Sequence, residues 1–141
     1  MYQSIRQEDE KLGLDAENEL NPILNTFFGC DFKTDANIYC PYDFIDTEKK
    51  VVIELKTRRI SSQAYLTLLI GWNKYEVMKK FKQQGYDAYF VFKLTDGLFY
   101  WLVPDELPND CEKRELINNR RGGIKSNTLH IPTNLLVKMN S

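Results

Sequence analysis

The stretch YDFIDTEKKVVIELKTRR, residues 42–59, decides how the rest of the chain folds. Val51–Thr57 is apolar and β-branched at its start and reads as a strand, with Thr47-Glu48-Lys49-Lys50 as a polar turn before it. Folding the hairpin about that turn sets Asp46 opposite Val51 and therefore Asp43 opposite Glu54. Directly opposed side chains share one face with Cβ atoms about 4.5–5.5 Å apart. Lys56, two residues beyond Glu54, projects from that same face, because side chains alternate along a strand. Asp46 falls on the other face, so the register selects Asp43.

Charged side chains on a strand next to a core are costly unless something compensates them. Two opposed carboxylates repel unless they share a proton or a cation. Oxygen donors without imidazole or thiolate suit a hard divalent ion, Mg²⁺ or Mn²⁺. Such an ion polarises a phosphodiester and acidifies water, and a neighbouring lysine orients that water and offsets developing charge. The plainer reading of Glu54 and Lys56 is a salt-bridged pair on an edge strand. Asp43 at matching register is what weighs against it.

Working outward, residues 4–28 read as a helix capped by Ser4, with Ala16, Leu20, Ile23, Leu24 and Phe27 as its apolar stripe. Pro22 predicts a kink, or a restart capped by Asn21, and Gly29 is the stop signal. Asp31–Tyr39 is expected to be a strand. Residues 72–84 form a second helix closed by Gly85, and the strands 88–94 and 98–103 are joined by a Thr-Asp-Gly turn. A helical crossover makes the strands at 51–57 and 88–94 parallel. The predicted order is αβββαββ: a mixed β-sheet flanked by helices, in one α/β domain covering residues 1–141. The region from Pro104 reads as irregular and basic, ending in an apolar segment at 131–137.

Asp43, followed after ten residues by Glu54-Leu55-Lys56, resembles the PD-(D/E)XK nuclease motif. That family's core, helix–strand–strand–strand–helix–strand, is similar to the order read above. In the first helix, Gly13-Leu14-Asp15-Ala16-Glu17 is similar to the GxxxE of archaeal Holliday-junction resolvases, where the Glu points into the site. Glu17 lies about 60° from Leu20 on the helical wheel, at the margin of the apolar stripe; a solvated helix carboxylate is the alternative. The departure from the motif is Tyr42, with Pro41 one earlier, where the family has Pro next to Asp.

The resemblance covers residues 10–103 and implies a restriction-endonuclease-like fold and Mg²⁺- (or Mn²⁺-) dependent hydrolysis of DNA phosphodiester bonds. Its junction-resolvase side implies selectivity for branched or junction DNA, while nicking, restriction-like and repair nucleases of the same family stay open. It implies Asp43, Glu54 and the Leu55 carbonyl as metal ligands, Lys56 as the residue positioning the attacking water, and Glu17 as a further carboxylate of the site. It also implies a homodimer, two sites cutting two strands. Arg58 and Arg59, leaving the motif strand, are phosphate candidates; Lys74 at the start of the second helix is a candidate for a phosphate or the site, with a solvated helix lysine as the equal alternative. Arg120, Arg121 and Lys125 read as a mobile basic loop that wraps nucleic acid, or as a solvated loop. Trp72, Phe99, Tyr100 and Trp101 serve core packing or a dimer interface. The competing function is a catalytically inactive domain of the same fold that binds nucleic acid or a protein.

Bulk properties narrow the rest. At 141 residues the chain can bury a full core without disulfides or a structural metal. Cys30, Cys40, Cys111 and the lone His130 are separated by 10, 71 and 19 residues, unlike the paired spacing of zinc sites. One histidine, read as structural, leaves little for Ser-His or Cys-His chemistry, and no organic-cofactor motif occurs. The apolar stretch Tyr65–Trp72 is far shorter than the ~20 residues that span a bilayer. Unpaired cysteines and an N-terminus without a signal-peptide pattern lead us to expect an intracellular protein, cytoplasmic, or nuclear in a eukaryote. Net charge is −1, but residues 1–48 carry 3 basic and 11 acidic groups whereas residues 49–94 carry 10 and 3. The basic excess therefore surrounds and follows the motif strand, where a nucleic-acid surface is expected.

Overall fold

The computed structural model describes residues 17–35, 40–118 and 122–139. The first hairpin forms with the anticipated register. β1 (Phe44–Asp46) runs antiparallel to β2 (Val51–Thr57), pairing Asp46 with Val51, Ile45 with Val52 and Phe44 with Ile53. Asp46 is why the turn closes there: its carboxylate accepts the amides of Glu48 and Lys49 at 3.0 Å each and of Asp31 at 2.9 Å. These bonds hold its carboxyl below the usual carboxylate range.

After β3 (Thr67–Gly71) comes α2 (Trp72–Gln83), which buries Tyr75 and Met78 and half-buries Phe81. Gly85, at φ +94°, ends it in a Schellman turn: Gly85 N–H donates to Lys82 O and Tyr86 N–H to Phe81 O. The chain returns through β4 (Asp87–Leu94), parallel to β2, and turns into β5 (Gly97–Leu102), antiparallel to β4. With β8 (Val137–Lys138) on β5, the main sheet has the order β1-β2-β4-β5-β8. Helix α1 (residues 17–28) packs on one face through Leu20 and Leu24, against Phe44, Val51, Ile53 and Val91. On the other face Val52, Phe90 and Phe92 meet Tyr75, Met78, Leu68 and Ile70. Leu24 and Met78 are at most 1 % exposed, and truncating either to Ala costs about 2–5 kcal/mol.

The mixed α/β class and the order αβββαββ hold, but the strands filling it differ from expectation. Of the strand expected at Asp31–Tyr39, residues 36–39 lie outside the described residues. Residues 31–35 make only an isolated bridge, Lys33 with Ile45. The third strand is instead β3, which leaves the main sheet to pair with β7 (Ile124–Pro132). The region after Pro104 is not irregular: β6 (Glu112–Asn118) and β7 form a hairpin and, with β3, a second sheet of order β3-β7-β6. Leu129 and Ile131 of β7 are fully buried beside α2, which explains why this hairpin is ordered despite its polar sequence.

Of the two outcomes expected at Pro22, the restart does not occur, since residues 17–28 are continuously helical. Asn21 does not cap a new helix; its side-chain oxygen accepts from Asn25 at 2.8 Å, while Asn25 Oδ1 holds the Phe32 amide at 2.7 Å. Gly29, at φ +65°, ends the helix, with Cys30 N–H donating to Asn25 O. The expected Ser4 cap lies outside the described residues.

Candidate active site

The β1–β2 ladder ends at the pair Phe44–Ile53, and Asp43, just before it, is not paired with Glu54 but is held against β2 by two other bonds. The Asp43 amide donates to Ile53 O at 3.0 Å, and its Oδ2 accepts the Leu55 amide at 2.7 Å. Within a strand, one residue's N–H and C=O face the same neighbour, so the Leu55 carbonyl is also turned toward Asp43. Asp43 thus sits just before the edge strand of the sheet, where α1 in the adjoining layer can reach around to it. Glu17 does so: its carboxyl hydrogen-bonds the Asp43 carboxylate. Burial, that bond, and the charges of Asp43 and Glu54 raise the Glu17 carboxyl to about 7.

Glu54 is 6 % exposed, and burial followed by Asp43 pushes its carboxyl up. Two ammonium groups act in the opposite direction. Lys56 Nζ lies 3.3 Å from Glu54 Oε1, and Lys74 Nζ, from the first turn of α2, lies 3.9 Å from the same oxygen. Three carboxylates therefore lie near one another beside two cations. The donor set is all oxygen, and its mutual repulsion is what a divalent cation relieves, so these residues fit one. Among the described residues no three His, Cys, Asp or Glu side chains form a ready-made cage for an ion. Mg²⁺, which retains several waters and takes only one or two protein carboxylates, does not need one.

The sequence matches, over residues 5–138, the family model described as "Phage putative PDDEXK endonuclease". The chain belongs to this PDDEXK endonuclease family. Among solved structures, the fold is similar to Hjc, a Holliday junction resolvase from Archaeoglobus fulgidus. The TM-score is 0.55 at 19 % identity, over 88 % of this chain and 92 % of that one. No curated protein matches the sequence.

The other residues singled out in this PDDEXK chain fall into two groups. Lys74, an open choice between phosphate and site, is placed on Glu54. Arg58 and Arg59 are exposed just past β2, and Arg58 lines a groove together with Arg114 and His130. Lys125 is not on a loop: it belongs to β7 and lies 3.4 Å from Glu115 of β6. Arg120 and Arg121 lie outside the described residues. Phe99 and Trp101 are buried in the core; Trp72 is half-buried, with Lys113 Nζ 4.4 Å from its ring centroid. His130 is 7 % exposed, and burial followed by Arg114 lowers its imidazole, which keeps it neutral. Arg114 carried no sequence signal, because the pairing of its strand was not legible. No described helix is long and apolar enough to cross a membrane.

Proposed function

We propose that this protein is a Mg²⁺- or Mn²⁺-dependent endonuclease that hydrolyses DNA phosphodiester bonds and, as a homodimer, acts on branched DNA. The observation that supports the reading is Asp43 bonded to the Leu55 amide, between Glu54 and Lys56 on β2, with Glu17 approaching from α1. Asp43, Glu54 and the Leu55 carbonyl would hold the ion, with Glu17 contributing a further carboxylate. When bound, the ion supplies Lewis acidity to the phosphoryl group and acidifies water.

The chain's own residues do the rest. Lys56, fixed on Glu54 by its 3.3 Å contact, points its remaining N–H groups toward the attacking water and stabilises developing negative charge. Lys74 places a second positive charge beside the same carboxylate. Glu17, its carboxyl raised to about 7, would supply a further carboxylate to the ion in its ionised form. Arg58 and Arg59 meet the phosphates beyond the cut.

Fold likeness to Hjc and membership of an endonuclease family support a nuclease. The near-neutral total charge supports selectivity, since affinity for any duplex would be modest. The test is hydrolysis of plasmid and four-way-junction DNA with Mg²⁺ or Mn²⁺, with EDTA, and with Lys56→Ala, alongside the mass in solution. Cleavage of junctions that stops in EDTA and in the variant is expected. Activity surviving both would sink the mechanism, and a strict monomer cutting only single strands would sink the junction reading.

A further inference from the structure

A groove of about 380 Å³ opens beyond the end of β2, and its lining includes Arg58, Ile60, Tyr65, Leu69, Arg114 and His130. Arg58 follows Lys56 by two residues, about 7 Å along extended chain, so the groove begins close to the candidate active site. Its other wall is the outer face of the second sheet, where Leu69 pairs with His130 and Arg114 with Thr128.

The segment between them is tied down along its length. Arg58 N–H donates to Lys93 O, Thr95 N–H to Ile60 O, Ser62 N–H to Asp96 Oδ1 at 2.9 Å, and Thr133 N–H to Leu66 O. Yet this tethered backbone presents Tyr65 at 63 % exposure and Leu66 at 89 %. Apolar side chains displayed on a fixed backbone form a binding surface whose ordering cost is already met. The surroundings are selective: an aromatic ring, an aliphatic floor of Ile60 and Leu69, two guanidinium groups, and a neutral imidazole 3.3 Å from the Thr128 hydroxyl. Arg114 is engaged by Glu112 at 2.6 Å, but an exposed pair of this kind is weak and yields to a phosphate.

We infer that this groove takes an unpaired nucleotide of the DNA substrate, its base stacked on Tyr65 and its phosphates on Arg58 and Arg114. Aromatic stacking recognises any base exposed from a duplex and none inside one. A groove next to the cutting strand therefore converts local unpairing into placement of the substrate. The inference deepens the nuclease reading and rests on it.

The test compares the affinity of the full chain, in Ca²⁺, for a duplex with one bulged nucleotide and for the same duplex fully paired, by fluorescence anisotropy. Wild type is expected to prefer the bulged DNA. Tyr65→Ala should lose about tenfold on it and bring the two affinities together, while Tyr65→Phe keeps the preference. An exposed position makes unfolding of the variants an unlikely confusion, and their thermal midpoints check it. No preference in wild type, or an undiminished one in Tyr65→Ala, overturns the inference. Wild-type cleavage of both DNAs in Mg²⁺ is measured in parallel. Cleavage without a Tyr65-dependent preference removes the groove alone, whereas preference without cleavage removes the nuclease.

Discussion

Asp43 Oδ2 accepts the backbone amide of Leu55 at 2.7 Å, which locks the acidic residue preceding β1 onto the strand that carries Glu54 and Lys56. One bond to the backbone thereby fixes the side chain, and under the proposed function the same carboxylate would also be a cation ligand. Asp43→Asn separates the two. The amide oxygen can still accept from Leu55, and the variant should fold. Removing one of three mutually repelling carboxylates should raise the metal-free thermal midpoint. Loss of a ligand should cut nuclease activity at least about a hundredfold, a few kcal/mol of transition-state stabilisation. Stability and Mg²⁺-dependent turnover are measured together, and a variant that loses both would show Asp43 to be merely structural.

The raised carboxyls set the pH behaviour of the metal-free protein. Glu17 is raised from 4.5 to about 7, and Glu54 is also raised. A carboxyl whose folded pKa exceeds its unfolded one binds protons more tightly when folded. Its contribution is therefore complete below about 4.5 and is lost as pH rises through about 7. In EDTA the thermal midpoint should fall across that window. Mg²⁺ should restore it at the upper end and do little at the lower, where protons occupy the site. Glu17→Gln should flatten the slope. An unchanged slope in that variant would place the titration elsewhere.

The two lysines on Glu54 are not equivalent. Lys56 is 3.3 Å away with its side chain 17 % exposed; Lys74 is 3.9 Å away and 38 % exposed. The more open cation is better screened by solvent and salt. Lys56→Ala should lower turnover at least about a hundredfold, and Lys74→Ala about three- to thirtyfold. The Lys74→Ala deficit should shrink as salt is raised. Turnover on a fixed Mg²⁺ and DNA substrate, at two ionic strengths, measures both; equal losses would mean that Lys74 shares the role assigned to Lys56.

How far the sequence discloses this arrangement depends on whether a residue's neighbours are local. The β1–β2 register was legible because the polar turn is bounded by apolar residues. The expected pairing of Asp43 with Glu54 stops one residue short, since the ladder ends at Phe44–Ile53 and Asp43 reaches β2 through the Ile53 carbonyl and the Leu55 amide. The approach of Glu17 was signalled by its place at the edge of the helical stripe. β3 was not legible because Thr67-Leu68-Leu69-Ile70-Gly71 is short and runs straight into a helix, so its alternation of buried Leu68 and Ile70 merges with flanking apolar residues. β6 and β7 escaped because their order comes from partners far along the chain: Leu129 and Ile131 are buried against α2 while their neighbours on the strand stay polar. Conversely, the β-like composition of Asp31–Tyr39 did not make a described strand, because Phe32 is held by Asn25 and only Lys33 meets Ile45.

Asp46 tests the frame rather than the chemistry. Although it is the other aspartate of the motif stretch, it is 7 % exposed and spends its oxygens on the amides of Asp31, Glu48 and Lys49. Its folded pKa lies below the ordinary 3.8. The stability it contributes is thus present above that value and lost as pH falls through the folded one, opposite in sign and lower in range than the Glu17 effect. Asp46→Ala removes the carboxylate that the amides of Asp31, Glu48 and Lys49 share and frees the turn that brings Asp43 to β2. It should lower the thermal midpoint by several degrees and reduce activity in proportion to unfolding. Asp46→Asn, which can keep part of the amide network, should fall between. At a temperature where every variant is folded, Asp46→Asn should retain near-wild-type turnover while Asp43→Asn does not; the reverse ranking would mean that Asp46, not Asp43, serves the site.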